Sequence, residues 1–298
     1  MTAPGLIAVT GATGTIGRAL SAFLGSRGYQ VRALVRRPDD GLRDLPNVSV
    51  WKCDLPDQID AGALDGCAAV VHCAYVTRFR SVAQARRVNE EGMLRLLELS
   101  RAAGVPRFIF LSTTSAHAAA RSYYGQSKFR LESALDPSRD LVVRPGLVIS
   151  ESGGLFGRMV RSGPGRAGAS WVVPLFGGGT QPMQTIHIDD LTEGLRLALE
   201  QRSCGALTLA SPERITVREF FEAVAAHRHR RARFIDVPPA PALAGLRVAE
   251  AFRIPLPISS ENLLGLLSLT YMDPESDLHR IGLTVRPLAA SLASLSMA

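Results

Sequence analysis

The stretch Leu6-Ile7-Ala8-Val9-Thr10-Gly11-Ala12-Thr13-Gly14-Thr15-Ile16-Gly17 decides the fold. Leu6–Thr10 is an apolar run of strand length, and Ile16–Arg27 then carries helical spacing. The three glycines between them meet different needs. Gly11 permits the tight turn, Gly14 lets backbone approach a pyrophosphate, and Gly17 lets helix and strand pack closely. The helix that opens here offers unpaired N–H groups to phosphate charge.

Working outward, Val31–Val35, Val48–Trp51, Ala68–Cys73, Phe108–Leu111 and Leu141–Val143 read as further buried strands. Val82–Ala103 and Tyr124–Leu135 read as helices. Strand alternating with helix predicts an α/β chain: a Rossmann-type, doubly wound parallel sheet with helices on both faces. Near Ser150 the pattern breaks at Gly153-Gly154, Gly163-Pro164-Gly165 and Gly177-Gly178-Gly179. Regularity returns with Ile186-His187-Ile188 and a helix from Asp189 to about Gln201, and Pro238 to Ala298 reads as Pro-interrupted and mostly helical. The expected organisation is a dinucleotide-binding domain, 1–150 with a returning segment 186–210. A smaller C-terminal substrate lobe, 151–185 and 211–298, completes it, with ligands at the carboxyl ends of the strands where the two meet.

Composition narrows the function classes. With 298 residues, 46% apolar and 20% charged, the chain is not disordered, and no apolar run is long enough for a membrane span. Met1–Gly5 lacks a basic region, so no signal peptide is expected. Cys53, Cys67, Cys73 and Cys204 lack CxxC spacing and read as reduced thiols of a cytoplasmic protein, with no metal site. The net charge of +7 comes from 32 Arg and only two Lys, Lys52 and Lys128. The densest basic run, His227–Arg233, reads as the solvated end of a helix. It has no interleaved aromatics to stack bases, so nucleic acid is not an expected partner.

Two further features carry chemistry. The second strand ends Val35-Arg36-Arg37-Pro38, with no carboxylate before Asp39 to hold free ribose hydroxyls. Two guanidiniums suit a 2′-phosphate, so NADP(H) is the expected cofactor and NAD(H) the second choice. Tyr124 and Lys128 lie four apart, on one helix face. An ammonium beside the phenol is expected to lower its pKa and fit it for proton transfer to a substrate oxygen. Upstream, Ser112-Thr113-Thr114-Ser115 ends a strand with hydroxyls. Thr113 is the choice to orient the same oxygen, with Ser112 and Thr114 as alternatives.

Together these motifs resemble the short-chain dehydrogenase/reductase superfamily, in its extended or atypical branch of NAD-dependent epimerase/dehydratase type. TGATGTIG (Thr10–Gly17) matches the glycine motif of that branch and brings Thr13, Thr15 and Ile16 into the cofactor set. The resemblance implies that Asp54, in Cys53-Asp54-Leu55, contacts adenine with Leu55 beside it, and that Cys73 and Ala74 line the cofactor. Asn89 would be structural. Arg144-Pro145-Gly146-Leu147-Val148 looks like the family's RPxxVYG strand end, which adds Pro145, Gly146 and Val148. Ile186–Asp190 looks like its VHVDDL segment, and Pro257–Leu267 is similar to the atypical branch. Tyr124 would be the catalytic acid/base and Lys128 would also bind the nicotinamide ribose. The resemblance further implies a homodimer through helices beginning near Ser81 and Tyr124.

Departures from the family pattern shape the expected reaction. Thr114-Ser115 stands where dehydratases place Asp-Glu, and Gly177–Gln184 has no arginine to grip a diphosphate. The expectation is an NADPH-dependent reductase of a small ketone or aldehyde, or the reverse alcohol oxidation. A nucleotide-sugar or related carbinol epimerase and a non-catalytic NADP(H)-binding sensor or scaffold are the alternatives.

Overall fold

The computed structural model describes residues 5–60, 62–77, 79, 81–151, 153, 156–157, 170–254, 256 and 258–295. Gly154 and Gly163-Pro164-Gly165, read above as loop punctuation, and Pro257 lie outside them.

The first half alternates as the sequence pattern predicts. In order come β1 (Leu6–Thr10), α1 (Thr15–Ser26), β2 (Gln30–Val35), α2 (Asp40–Arg43), β3 (Val48–Asp54), β4 (Gln58–Ile59) and β5 (Ala69–His72). Then follow α3 (Val82–Arg86), α4 (Gly92–Ala102), β6 (Phe108–Leu111), α5 (Tyr123–Glu132) and β7 (Leu141–Pro145). Beyond them lie β8 (Leu147–Ile149), β9 (Ser170–Phe176), β10 (Pro182–Met183), β11 (Thr185–His187) and α6 (Ile188–Glu200). The last strands are β12 (Gly205–Leu209), β13 (Ile215–Thr216) and β14 (Arg231–Val237).

Eight strands form one sheet in the order β12-β7-β6-β5-β1-β2-β3-β4. All its pairs are parallel except β3 with the short β4. Alternate residues of one strand face opposite sides. Val9, Val71, Ile109 and Leu207 pack under α1 and α6, whereas Ala8, Val70, Phe110 and Val142 pack with Met93, Leu96 and Leu131 of α4 and α5. Burial on both sides is why these strands are apolar throughout. Because β1 has β5 on one side and β2 on the other, the order of strand addition switches there, the point at which such sheets hold ligands at their carboxyl ends.

Four readings need correction. Val82–Ala103 is not one regular helix: Arg87–Glu91 forms a π-turn between α3 and α4. The run His227–Arg233 is only partly a helix end. The helix Val217–His227 stops at its first residue, and Arg231–Arg233 open β14, paired in parallel with β9. Arg231, Arg233 and Ile235 are exposed while Ala232 and Phe234 turn inward, a strand alternation that the charge density hides. The helix after Ile186 begins at Ile188, and α5 begins at Tyr123 with Ser122 as its cap, accepting from Gly125 N at 3.2 Å.

The VHVDDL-like segment ties the C-terminus to the sheet. Asp190 accepts from Arg286 N at 2.9 Å and Nε at 3.0 Å, and His187 Nε2 meets Ser294 Oγ at 3.1 Å. Among the described residues no helix is long and apolar enough to cross a membrane.

Candidate active site

The loops leaving β1 and β5 touch. Gly11 has φ +65°, and a Cβ there would stand 2.8 Å from Ala74 N and Cα. At Gly17 a Cβ would stand 2.3 Å from Gly11 O, so helix and turn meet backbone to backbone. Gly14 differs from both. It caps α1 in extended geometry (φ −81°, ψ 168°), with no side-chain cap and no acid in the first turn. Thr13 and Gly14 are exposed, and Thr15 and Ile16 are half-buried. The first-turn N–H groups therefore meet an open surface with nothing on the helix to neutralise them. A pyrophosphate fits that end.

Behind the loop, Thr10 Oγ1 accepts from Ala74 N at 3.3 Å and lies 2.8 Å from His72 Nδ1. Either neutral tautomer of His72 satisfies this bond. Burial lowers the His72 pKa to about 3, so the ring is neutral. Cys73 and Ala74 thus stand directly beside the glycine turn, and burial pushes the Cys73 thiol up to about 12. Arg36 and Arg37 are exposed at the end of β2, and neither has an ion pair among the described residues. Asp39, the first carboxylate after them, is paired with Arg18 of α1. The ribose-recognising end of β2 is therefore cationic. Asp54 is exposed at the end of β3, and Leu55 lies against Gly92 of α4.

At the end of β6 the four hydroxyl residues separate by partner. Ser112 donates to Glu132 at 2.5 Å, and Glu132 also accepts from Arg144 Nε at 3.0 Å and Nη2 at 2.5 Å. Thr114 N donates to Pro145 O at 3.1 Å, which sets Pro145 beside this strand end. Gly146 comes so close to Gln184 that a Cβ would lie 2.7 Å from its carbonyl oxygen, and Val148 pairs with Ile186. The Thr113 hydroxyl, whose Oγ1 accepts from Ser115 N at 3.2 Å, stands near Tyr124 and acts to lower the phenol pKa. Burial outweighs that effect, however, and the phenol stands above its ordinary value.

The expected lowering by Lys128 is not found, because the ammonium points elsewhere. Lys128, 3% exposed, donates to the Leu111 carbonyl and lies 4.5 Å and 4.4 Å from the ring centres of Tyr75 and Phe110. Burial lowers its pKa to about 7, against smaller upward effects of Cys73 and Glu132. Tyr124 and Lys128 do project from one helix face, and both lie against the Tyr75 ring.

Sequence reading missed Tyr75, Glu132 and the Thr10–His72 pair. Glu132 alone left a signal, one helical turn beyond Lys128. Asn89, expected to be structural, is 2% exposed on the π-turn and exchanges two hydrogen bonds with Val76. The helix Ser260–Leu267 closes over the start of α5: Glu261 accepts from Tyr123 N at 2.6 Å, and Ser268 O meets His117 Nε2 at 2.8 Å.

Comparison with known proteins adds four findings. The family model of the NAD dependent epimerase/dehydratase family matches residues 7–207. The ceramide reductase of Caulobacter vibrioides is 36% identical over 199 residues, 63% of this chain and 59% of that protein. The dihydroflavonol 4-reductase of Dianthus caryophyllus is 37% identical over 147 residues, 44% of this chain and 40% of that one. The chain thus spans about half the length of these two relatives. The crystal structure of human epimerase family protein SDR39U1 (isoform2) with NADPH superposes with a TM-score of 0.70 at 24% identity. It covers 96% of this chain and 97% of that one, and shows the same fold.

Proposed function

The chain belongs to the NAD dependent epimerase/dehydratase family, NAD(P)-dependent enzymes of short-chain dehydrogenase/reductase type, and we propose that it reduces a small ketone or aldehyde with NADPH. The reverse alcohol oxidation is the same reaction. One observation carries this reading: the Thr113 hydroxyl stands near the Tyr124 phenol at the carboxyl end of β6 and lowers its pKa, with Lys128 buried on the same helix face as Tyr124.

In this reading Gly11, Thr13, Gly14, Thr15, Ile16 and Gly17 hold the pyrophosphate and Arg36 and Arg37 the 2′-phosphate. Asp54 and Leu55 border the adenine, and Cys73, Ala74, Pro145, Gly146 and Val148 line the remaining length. The cofactor, when bound, supplies the hydride. Thr113 holds the substrate oxygen, and Tyr124 gives it a proton as negative charge develops there. A phenol that is protonated well above neutral pH is ready to donate, which suits the reductive direction. Lys128, lowered to about 7 by burial, would bind the nicotinamide ribose. The protein aligns these groups and leaves the redox chemistry to the cofactor.

Residues 1–150 with 186–210 would hold the cofactor, and 151–185 with 211–298 would select the substrate. The paired Asp39 supports NADP(H) over NAD(H). The relatives' names, a ceramide reductase and a dihydroflavonol reductase, favour reduction of an uncharged substrate over epimerisation of a nucleotide sugar. A cytoplasmic homodimer belongs to the same reading. Exposed Val82 of α3, Leu94 of α4 and Phe129 of α5 support the dimer. The reading is tested by screening uncharged ketones and aldehydes for NADPH consumption by the purified protein. Turnover of at least one, with NADH much poorer, is expected. Binding of NADPH with no turnover of any carbonyl would favour the sensor reading.

A further inference from the structure

The loop leaving β5 carries Tyr75, and its backbone is fixed on both sides. Ala74 N donates to Thr10 Oγ1 at 3.3 Å. Val76 N donates to Asn89 Oδ1 at 2.7 Å, and Asn89 Nδ2 returns a bond to Val76 O at 3.0 Å. Asn89 itself sits on the π-turn, the kind of helix interruption that re-aims a side chain. So held, the Tyr75 ring meets the Tyr124 ring edge-on, centres 5.2 Å apart and planes at 87°. The Lys128 ammonium lies 4.5 Å from the centre of the same ring. The Tyr75 hydroxyl, beside Ser127, makes no well-formed hydrogen bond among the described residues.

We propose that Tyr75 is a positioning residue for the Tyr124–Lys128 pair, acting through its ring and not its hydroxyl. This rests on the reading of that pair given above. A buried ammonium needs negative potential around it. The titratable groups facing Lys128 supply little. His72 of β5 is neutral, and the Cys73 thiol is held protonated by burial. Glu132 of α5 is committed to Arg144 and Ser112. Tyr124 is a neutral phenol. What remains is the Leu111 carbonyl and two ring faces, Tyr75 and Phe110, each presenting the negative side of an aromatic quadrupole. Tyr75 does two things at once. Its ring holds the charge in place and blocks rotation of the Tyr124 ring away from Thr113.

The chain's two lysines make a direct test possible. Isotope-labelled lysine gives two side-chain signals by NMR, with exposed Lys52 as the internal reference. Tyr75→Phe is expected to keep the ring-current displacement of the Lys128 signal, its titration midpoint and turnover. Tyr75→Leu should lose part of that displacement and lower the midpoint by about one unit, the size of a desolvated cation–π contact. It should cut kcat about tenfold or more while KM for NADPH moves little. A Tyr75→Leu protein with an unchanged or raised Lys128 midpoint overturns the proposal, since the ring would then only exclude water. Loss of the displacement or turnover in Tyr75→Phe also overturns it, by assigning the work to the hydroxyl, and that arm stands even if Tyr75→Leu fails to fold. The NMR arms need no substrate. A fully active Tyr124→Phe would end the catalytic reading and leave them unaffected.

Discussion

Gly14 and Gly17 lie three residues apart, yet substitution at each should fail for a different reason. An alanine Cβ at Gly17 would sit 2.3 Å from Gly11 O, 2.7 Å from Gly11 C and 3.0 Å from Ala12 Cα. Ordinary contact begins near 3.4 Å, so α1 must move by about 1 Å against backbone that cannot rotate aside. Overpacking costs about 1–3 kcal/mol, and a backbone obstacle places this case at the upper end. At about 2–4 °C per kcal/mol in a chain of this size, Gly17→Ala should lower Tm by about 6–12 °C. At Gly14 the backbone is already extended and the nearest atom, Gly11 O, is 3.1 Å away. Gly14→Val should therefore cost only about 1 kcal/mol, as a poorer cap. Its branched side chain occupies the place of the pyrophosphate, and losing even one charge-assisted hydrogen bond weakens binding about 10–100-fold. Thermal denaturation and NADPH titration of both variants separate the two effects. Wild-type affinity in a folded Gly14→Val protein would refute the phosphate cradle, and a wild-type Tm in Gly17→Ala would refute the packing argument.

Three further outcomes are expected. Arg36→Asp should reduce the NADPH-over-NADH preference about 10–100-fold by replacing a phosphate partner with a repelling charge, as read from paired binding titrations. Lys128→Arg should lower kcat by about 100-fold or more despite keeping the charge, because a rigid planar fork does not fit between the Tyr75 and Phe110 rings; steady-state kinetics with turnover near wild type would refute this. Burial lowers Lys128 to about 7 from its ordinary 10.5, so between those values the unfolded chain binds more protons than the folded one. Stability should then rise with pH across that window for the wild type relative to Lys128→Met, with the burial penalty fully present below about pH 7; parallel denaturation curves for the two would contradict it.

How much was legible in the sequence depended on whether a signal was local. The strands of the central sheet are buried on both faces, so apolar runs such as Phe108–Leu111 announce them with correct bounds. The glycine turn and the Tyr124–Lys128 spacing are likewise contained within a few residues. β14 was hidden because Arg231 and Arg233 face solvent along its exposed side, and charge density masked a period of two. The direction of the Tyr124 shift was misread for another reason. Spacing on a helix brings two side chains to one face, but whether the ammonium reaches the phenol depends on Leu111, Phe110 and Tyr75, from β6 and the β5 loop. The Ser112 hydroxyl is likewise drawn to Glu132, twenty residues away, a partner that no local pattern at the strand end announces.

The central claim is that Tyr124 transfers the proton, and Tyr124→Phe tests it most directly. The substitution keeps the ring that meets Tyr75 and removes only the hydroxyl that meets Thr113. Steady-state kinetics on any carbonyl compound the wild type reduces, with NADPH titration alongside, should show kcat lower by about 10²–10⁴-fold and cofactor affinity nearly unchanged. Turnover near wild type in Tyr124→Phe would contradict the account.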